Sequence, residues 1–318
     1  MNEQGLPRIV VAVDGTEGST GALRYAAGRA ASRGWPLHVV HALPAYVAMT
    51  PSPPYLREDL VPTGEAILAR AAELASDLAP EVTVTTELST SDRVPALVAA
   101  GDDAEMLVLG QEGRHGLSRV LIGATAAVVA ARTRCPLVAV PGDWQPDAAH
   151  GLVVVGVRSE QDAERLLARA FDEAVTRGAG LRFVHTWDLP NPYADRIEGR
   201  THGTDWRASG EAHLESLLAP WRRAHPEVPV EVKVLHAQAR AALVEESRDA
   251  DLLLVLRHRS HLLPGYHLGG TARAVLALAP VPVEVVPPEL SREHSVEQPL
   301  EQSAGRAWRQ VPPDPRRS

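Results

Sequence analysis

The sequence predicts two tandem α/β domains, each a five-stranded parallel sheet with helices on both faces. Three observations carry this expectation. The chain repeats itself with a period of roughly 140 residues. Each repeat alternates apolar, β-branched runs with runs at helical spacing, and the strand-like runs are continuously apolar rather than alternating. Continuous apolarity predicts parallel strands buried on both faces, the signature of a doubly wound sheet.

The repeat is legible by eye. "RIVVAVDGTEGSTGALRYAAGRAASRGWPLHVVHAL" is answered by "GLVVVGVRSEQDAERLLARAFDEAVTRGAGLRFVHTW", so that His41 meets His185 and Gly34 meets Gly178, each 144 residues on. "DAEMLVLGQEG" is answered by "DADLLLVLRHR" and "CPLVAVP" by "VPVEVVP", so that Gly123 meets Gly269 and Pro136 meets Pro282, now 146 residues on. A period this long marks a duplicated domain rather than a solenoid. The expected domains are 1–145 and 149–288.

In the first copy the strands are expected at "RIVVAV" (8–13), "PLHVVHA" (36–42), "VTVTTEL" (82–88), "EMLVLG" (105–110) and "PLVAV" (136–140). The helices are expected at "GALRYAAGRAASRG", capped by Gly34, then at "EAILARAAELASDLA", "VPALVAAGD" and "ATAAVVAARTR". The Pro-rich "ALPAYVAMTPSPPYLREDLVP" predicts a mobile surface excursion over the carboxyl edge of the sheet. From Glu289 the pattern stops, and the polar, Pro-containing segment 289–318 predicts a disordered tail. Its removal is expected to leave the melting temperature nearly unchanged. The last strands, "PLVAV" and "PVEVV", are short apolar edges that each begin at a proline. They predict that the copies dock on one another there, because such an edge must be covered.

Composition narrows the function. Of 318 residues, 45% are apolar, enough to fill a core in each copy, and the longest apolar stretch, "VLIGATAAVVAA", is too short for the roughly 18 residues of a membrane span. No secretory signal is visible in "MNEQGLPR", and the lone Cys135 excludes an intramolecular disulfide framework, so a cytoplasmic protein is expected, with no membrane partner. A net charge of −8 with scattered cations argues against nucleic acid as a partner. The single lysine, Lys233, lies between two valines, so no Gly-Lys-Ser/Thr phosphate loop exists.

The glycines of "LGQEGRHGLSRVLIGATAAVVA" carry the chemistry. Ligands of such sheets bind outside the carboxyl ends of the strands, where helices begin. Gly110 ends the fourth strand, Gly113 follows, and Gly123 opens the next helix. Without Cβ atoms the main chain can approach a ligand closely, and the free N–H groups at a helix start suit phosphate. The expected cradle places a glycine turn over the sugar and inner phosphate. The helix start at Ala124, Thr125 and Ala126 takes the outer phosphates, and Arg114, His115 and Arg119 line the loop between.

Gly-x2-Gly-x9-Gly after "MLVLG" and before "CPLVAVP" resembles the ATP-binding signature of the universal stress protein family. "RIVVAVDGTEGS" and "PLHVVHA" resemble its first strands, and the duplication resembles its tandem, actinobacterial subclass. The likeness covers roughly residues 7–288. It implies Rossmann-like domains of the adenine nucleotide alpha hydrolase type. It also implies a cofactor, ATP, alone or with Mg2+, and a non-catalytic stress-response role with an unidentified protein partner. In that family the acid in the place of Asp14 bonds the adenine, helped by main chain at the places of Ala12, Val13 and Ala42. Without the resemblance, Asp14 reads as a turn or cap residue. It further implies an intramolecular pair of the two copies, with further homodimerisation open.

One departure touches the first copy: Ala124 stands where the family has Ser or Thr, which removes a hydroxyl worth about 1 kcal/mol. The second copy departs more widely. Arg158, Leu256 and Arg259 replace the counterparts of Asp14, Gly110 and Gly113, while Gly269, Gly270 and Thr271 remain. The expectation is that larger side chains fill the second site. His41 and His185 are expected as satisfied strand-end histidines, and "RHRSH" (257–261) as a solvated loop. No His-Glu-x-x-His, Gly-x-Ser-x-Gly or metal-spaced carboxylate pair is present. Three readings follow: a nucleotide-binding regulatory module, a nucleotide-free scaffold, or a slow ATP hydrolase or nucleotidyl-transferring relative.

Overall fold

The computed structural model describes residues 7–43, 60–111, 124–146, 149–158, 163–258 and 268–288. The expected tail, Gly113, Arg114, Gly123 and Arg259 lie outside them. The first copy runs β1 (Ile9–Ala12), α1 (Glu17–Arg33), β2 (Leu37–Ala42), α2 (Val61–Leu78), β3 (Val84–Ser89), α3 (Arg93–Gly101), β4 (Met106–Gly110), α4 (Ala124–Arg132) and β5 (Leu137–Val140). The second runs β6 (Leu152–Gly156), α5 (Ala163–Arg177), β7 (Gly180–Trp187), α6 (Pro192–Thr201), α7 (Gly203–Ala224), β8 (Val230–His236), α8 (Ala239–Glu246), β9 (Leu252–Leu256), α9 (Gly270–Leu278) and β10 (Val283–Val286).

Local chemistry sets these limits. Gly34 and Gly178 end α1 and α5 at φ +63°, the left-handed region in which a residue without Cβ is unstrained. The Pro-rich segment yields to helix earlier than expected. Val61 and Pro62 already form the first turn of α2, where a proline's missing N–H has no intrahelical partner to lose.

All ten strands form one sheet in the order β3-β2-β1-β4-β5-β10-β9-β6-β7-β8. Strands within each copy are parallel, and β5 pairs antiparallel with β10, with Val138 opposite Glu284. The register alternates side chains between the two faces. Ile9 and Val11 pack under α1 and α2, whereas Val10 packs with α3 and α4. β3 departs from the expectation of strands buried on both faces. Thr85, Thr86 and Glu87 are exposed because β3 is the sheet's edge, and polar residues on an edge discourage further pairing. Among the described residues no helix is long and apolar enough to cross a membrane.

The junction differs on its two faces. Beneath α3, α4, α8 and α9 a single apolar cluster runs from one copy into the other, through Leu137, Ala139, Val283 and Val285. Between α1 and α5 the contact is ionic. Arg29 meets Glu173 at 2.5 Å, a pair 144 residues apart and therefore equivalent in the two copies. Arg33 grips Asp172 with both terminal nitrogens at 2.8 and 2.5 Å, Arg169 meets Glu284 at 2.5 Å, and Arg177 spans Glu173 at 2.9 Å and the Tyr25 hydroxyl at 2.6 Å.

Candidate functional site

A cavity of about 310 Å3 opens at the carboxyl ends of β1, β2 and β4, against the starts of α1, α3 and α4. Its walls bring together Ala12, Val13, Asp14, Ala42, Gly110, Thr125 and Ala126, residues that are as far as 114 positions apart in sequence. Ala124 contributes the first residue of α4. The volume sits at the lower end of the range for small-molecule sites.

Asp14 is exposed at the mouth and makes a tight local turn. Its Oδ1 accepts the Thr16 N–H at 3.0 Å and the Thr16 hydroxyl at 2.6 Å. Partial burial pushes the carboxyl up. The hydrogen bonds from Thr16 and Ser19 and the nearby Arg93 guanidinium outweigh it, so the pKa lies below the ordinary carboxylate value. Oδ1 takes both Thr16 bonds, so Asp14 fills the turn role that its place at a strand end predicts. The Val13 N–H is committed to Val40 at 2.9 Å, and the Val13 carbonyl accepts from His41 Nδ1 at 2.8 Å. Val13 therefore has only a second carbonyl lone pair to offer a ligand. His185 repeats the bond to Val157 at 3.0 Å, and burial lowers its pKa. Both histidines tie the first two strands of a copy together.

Gly110 has a packing reason that its position in the sequence does not reveal. A Cβ there would collide with the Gly18 carbonyl in the first turn of α1. The glycine lets strand and helix close on one another at the cavity floor.

Sequence reasoning missed Thr16, Ser19, Arg93 and Gln111, which also line the cavity. The hydroxyls of "DGTEGS" were visible as a helix-start pattern. Arg93 and Gln111 carry no local signal, because only the sheet order brings the start of α3 and the end of β4 beside β1.

The second copy overturns the expectation of a filled site. A cavity of about 400 Å3 remains at the equivalent place, lined by Gly156, Arg158, Thr186, Leu256, Gly269 and Thr271. Two reductions offset the added bulk: Gly156 stands where Ala12 does, and Ala239 stands where Arg93 does. The space persists with Arg158 in the place of Asp14, and Asp188 also in its lining. Of "RHRSH", Arg257 is buried rather than solvated, at 8% exposure, and 259–261 lie outside the described residues.

Comparison with known proteins adds the following. The sequence profile of the universal stress protein family matches residues 5–141 and again 151–287. A universal stress protein of Mycobacterium tuberculosis strain H37Rv is 36% identical over 291 residues, covering 87% of this chain and 96% of that protein. One of Mycolicibacterium smegmatis is 32% identical over 293 residues, covering 88% and 97%. Among solved structures, a universal stress protein of Archaeoglobus fulgidus superposes with a TM-score of 0.65 at 17% identity, covering 88% of this chain and 96% of that one, a likeness of fold.

Proposed function

The chain belongs to the universal stress protein family and carries its fold twice, and from that premise we propose that the first copy is an adenine-nucleotide-binding module with a regulatory role. The observation that carries this reading is the single cavity into which Asp14, Gly110, Thr125 and Ala126 converge. In the proposed pose Asp14 and the main chain of Ala12, Val13 and Ala42 face the base. Gly110, Gly113, Arg114 and Gly123 surround the ribose and inner phosphate, and the start of α4 at Ala124, Thr125 and Ala126 faces the outer phosphates. Arg93, exposed at the start of α3, adds a cation on the opposite wall.

ATP is the nucleotide proposed. Among the described lining residues Asp14 is the sole carboxylate, and its place is at the base, so any Mg2+ would travel with the triphosphate rather than on a protein ligand. The groups around the cavity favour holding charge over moving protons: a carboxylate kept below its ordinary pKa is a weak general base at neutral pH. We read the module as regulatory rather than catalytic, with a protein partner reading the occupancy.

Protein denatured directly after purification is expected to release adenine nucleotide, and titration calorimetry is expected to give one ATP per chain. Two equal sites would overturn the assignment to the first copy, and no binding at millimolar ATP would overturn the nucleotide reading. Asp14→Ala is expected to weaken ATP about tenfold or more, the worth of a hydrogen bond to a charged group, and to narrow the preference for ATP over GTP. Arg158→Ala is expected to leave both unchanged. Paired titrations with ATP and GTP check this.

A further inference from the structure

Helix α4 touches both copies. Its first turn, at Thr125 and Ala126, forms a wall of the first cavity, and the helix packs on α9 of the second copy. At its far end Arg257, which follows β9, reaches across the junction. The guanidinium Nη1 donates to the carbonyl oxygens of Ala130 at 2.8 Å and Thr133 at 2.7 Å. The residue is buried, and its backbone N–H is anchored to Val286 at 2.8 Å. A guanidinium there satisfies carbonyls that a helix end leaves without partners and sets a full positive charge against the negative end of the helix dipole.

Gln111 does not repeat this brace among the described residues. Gln111 holds the equivalent place after β4 and makes the matching backbone bond, to Val140 at 2.8 Å. Its shorter side chain ends in a buried amide nitrogen without a hydrogen-bond partner among the described residues. The second copy therefore caps the α4 of the first, and the first does not return the contact through Gln111.

We propose that Arg257 is a positioning residue for the ligand site of the first copy: by fixing the carboxyl end of α4 it sets where the helix's free N–H groups point. The inference rests on the nucleotide reading of that cavity. A nine-residue helix is a rod roughly 13 Å long, so a tilt at one end displaces donors at the other, and hydrogen bonds weaken steeply with misalignment. On this account the second copy, with Arg158 in the place of Asp14, is retained as part of the first copy's site.

The test compares wild type, Arg257→Gln and Arg257→Lys in the full-length chain, by titration with ATP and with adenosine and by amide hydrogen exchange along α4. Arg257→Gln is expected to lower ATP affinity about tenfold, leave adenosine affinity unchanged, and speed exchange in α4. Arg257→Lys keeps the charge without the planar fork and is expected to fall between, and it stands in for Arg257→Gln if that variant fails to fold. Unchanged ATP affinity and exchange in the variants would overturn the inference alone, as would equal losses for ATP and adenosine, which report general loosening. A wild type that binds neither ligand would overturn the cavity reading on which the inference rests.

Discussion

Glu173→Gln is expected to destabilise the protein by about 3–5 kcal/mol, the cost of removing one partner from a buried ion network, measured by urea unfolding. Glu173 is fully buried and meets Arg29 at 2.5 Å, Arg177 at 2.9 Å, Arg169 at 3.0 Å and Arg33 at 3.3 Å. Its loss leaves four guanidinium groups facing one another, with Asp172 and Glu284 as the remaining acids of the network. Surface pairs such as Arg248–Glu245 should by contrast contribute almost nothing. A loss below 1 kcal/mol for Glu173→Gln would show that the network is hydrated in solution.

The same group predicts an acid limb. Burial pushes the Glu173 carboxyl up, but its arginine partners win and hold it at about 2, against an ordinary value of 4.5. A folded pKa below the unfolded one stabilises the protein above pH 4.5, and that contribution drains away as pH falls from 4.5 towards 2. Glu284 acts in the opposite sense: burial raises its pKa against the pull of Arg169, so its contribution is full in acid and declines as pH rises. The expected net result is a loss of stability in the acid window that Glu173→Gln abolishes, read from unfolding midpoints across pH 2–6.

Position in the fold explains why this network has opposite charges. Equivalent residues meet at the junction, so two identical first copies would set Arg29 against Arg29, and two second copies Glu173 against Glu173. Duplication within one chain lets the two halves diverge, and here the second copy supplies every carboxylate of the network while the first supplies Arg29, Arg33 and Tyr25.

Gly110→Leu is the second large effect. A side chain at this position enters the Gly18 carbonyl, a backbone group that cannot swing away without dragging the start of α1. Overpacking against side chains costs about 1–3 kcal/mol, and an immovable backbone places this case at or above the top of that range. Both Asp14 and α1 border the cavity, so ATP binding is expected to be lost even where the fold survives at low temperature. Leu256→Gly, the reverse change in the second copy, is expected to leave ATP binding intact. Thermal melts with and without ATP distinguish the outcomes, and a Gly110→Leu protein that melts and binds like wild type would refute the close contact.

Much of this was legible without coordinates, for physical reasons. Hydrophobic period and turn chemistry are local, so the β1 run "IVVA", the Gly34 and Gly178 caps and the alternation of strand and helix could be read directly. The duplication supplied a second, independent copy of each signal. Proline-led apolar edges implied that β5 and β10 must be covered, because unpaired strand edges are unstable in water. Of the three glycines expected to form the cradle, Gly110 ends β4 at the carboxyl edge of the sheet, while Gly113 and Gly123 lie outside the described residues.

Tertiary structure decided whatever depends on partners distant in the chain. Side-chain size alone suggested a filled second site, yet Gly156 and Ala239 give back the room that Arg158 and Leu256 take, and only their juxtaposition across three elements shows it. Gly110 read as a ligand approach, while its contact with Gly18 belongs to the packing of β4 on α1. Arg93 joined the site because strand order, not sequence order, sets neighbours. The charges of "RHRSH" suggested a solvated loop; burial across the junction instead turned Arg257 towards the carbonyls of α4. Charge in a sequence reports what a residue can bond to, and only the fold reports how much water is left to compete for that bond.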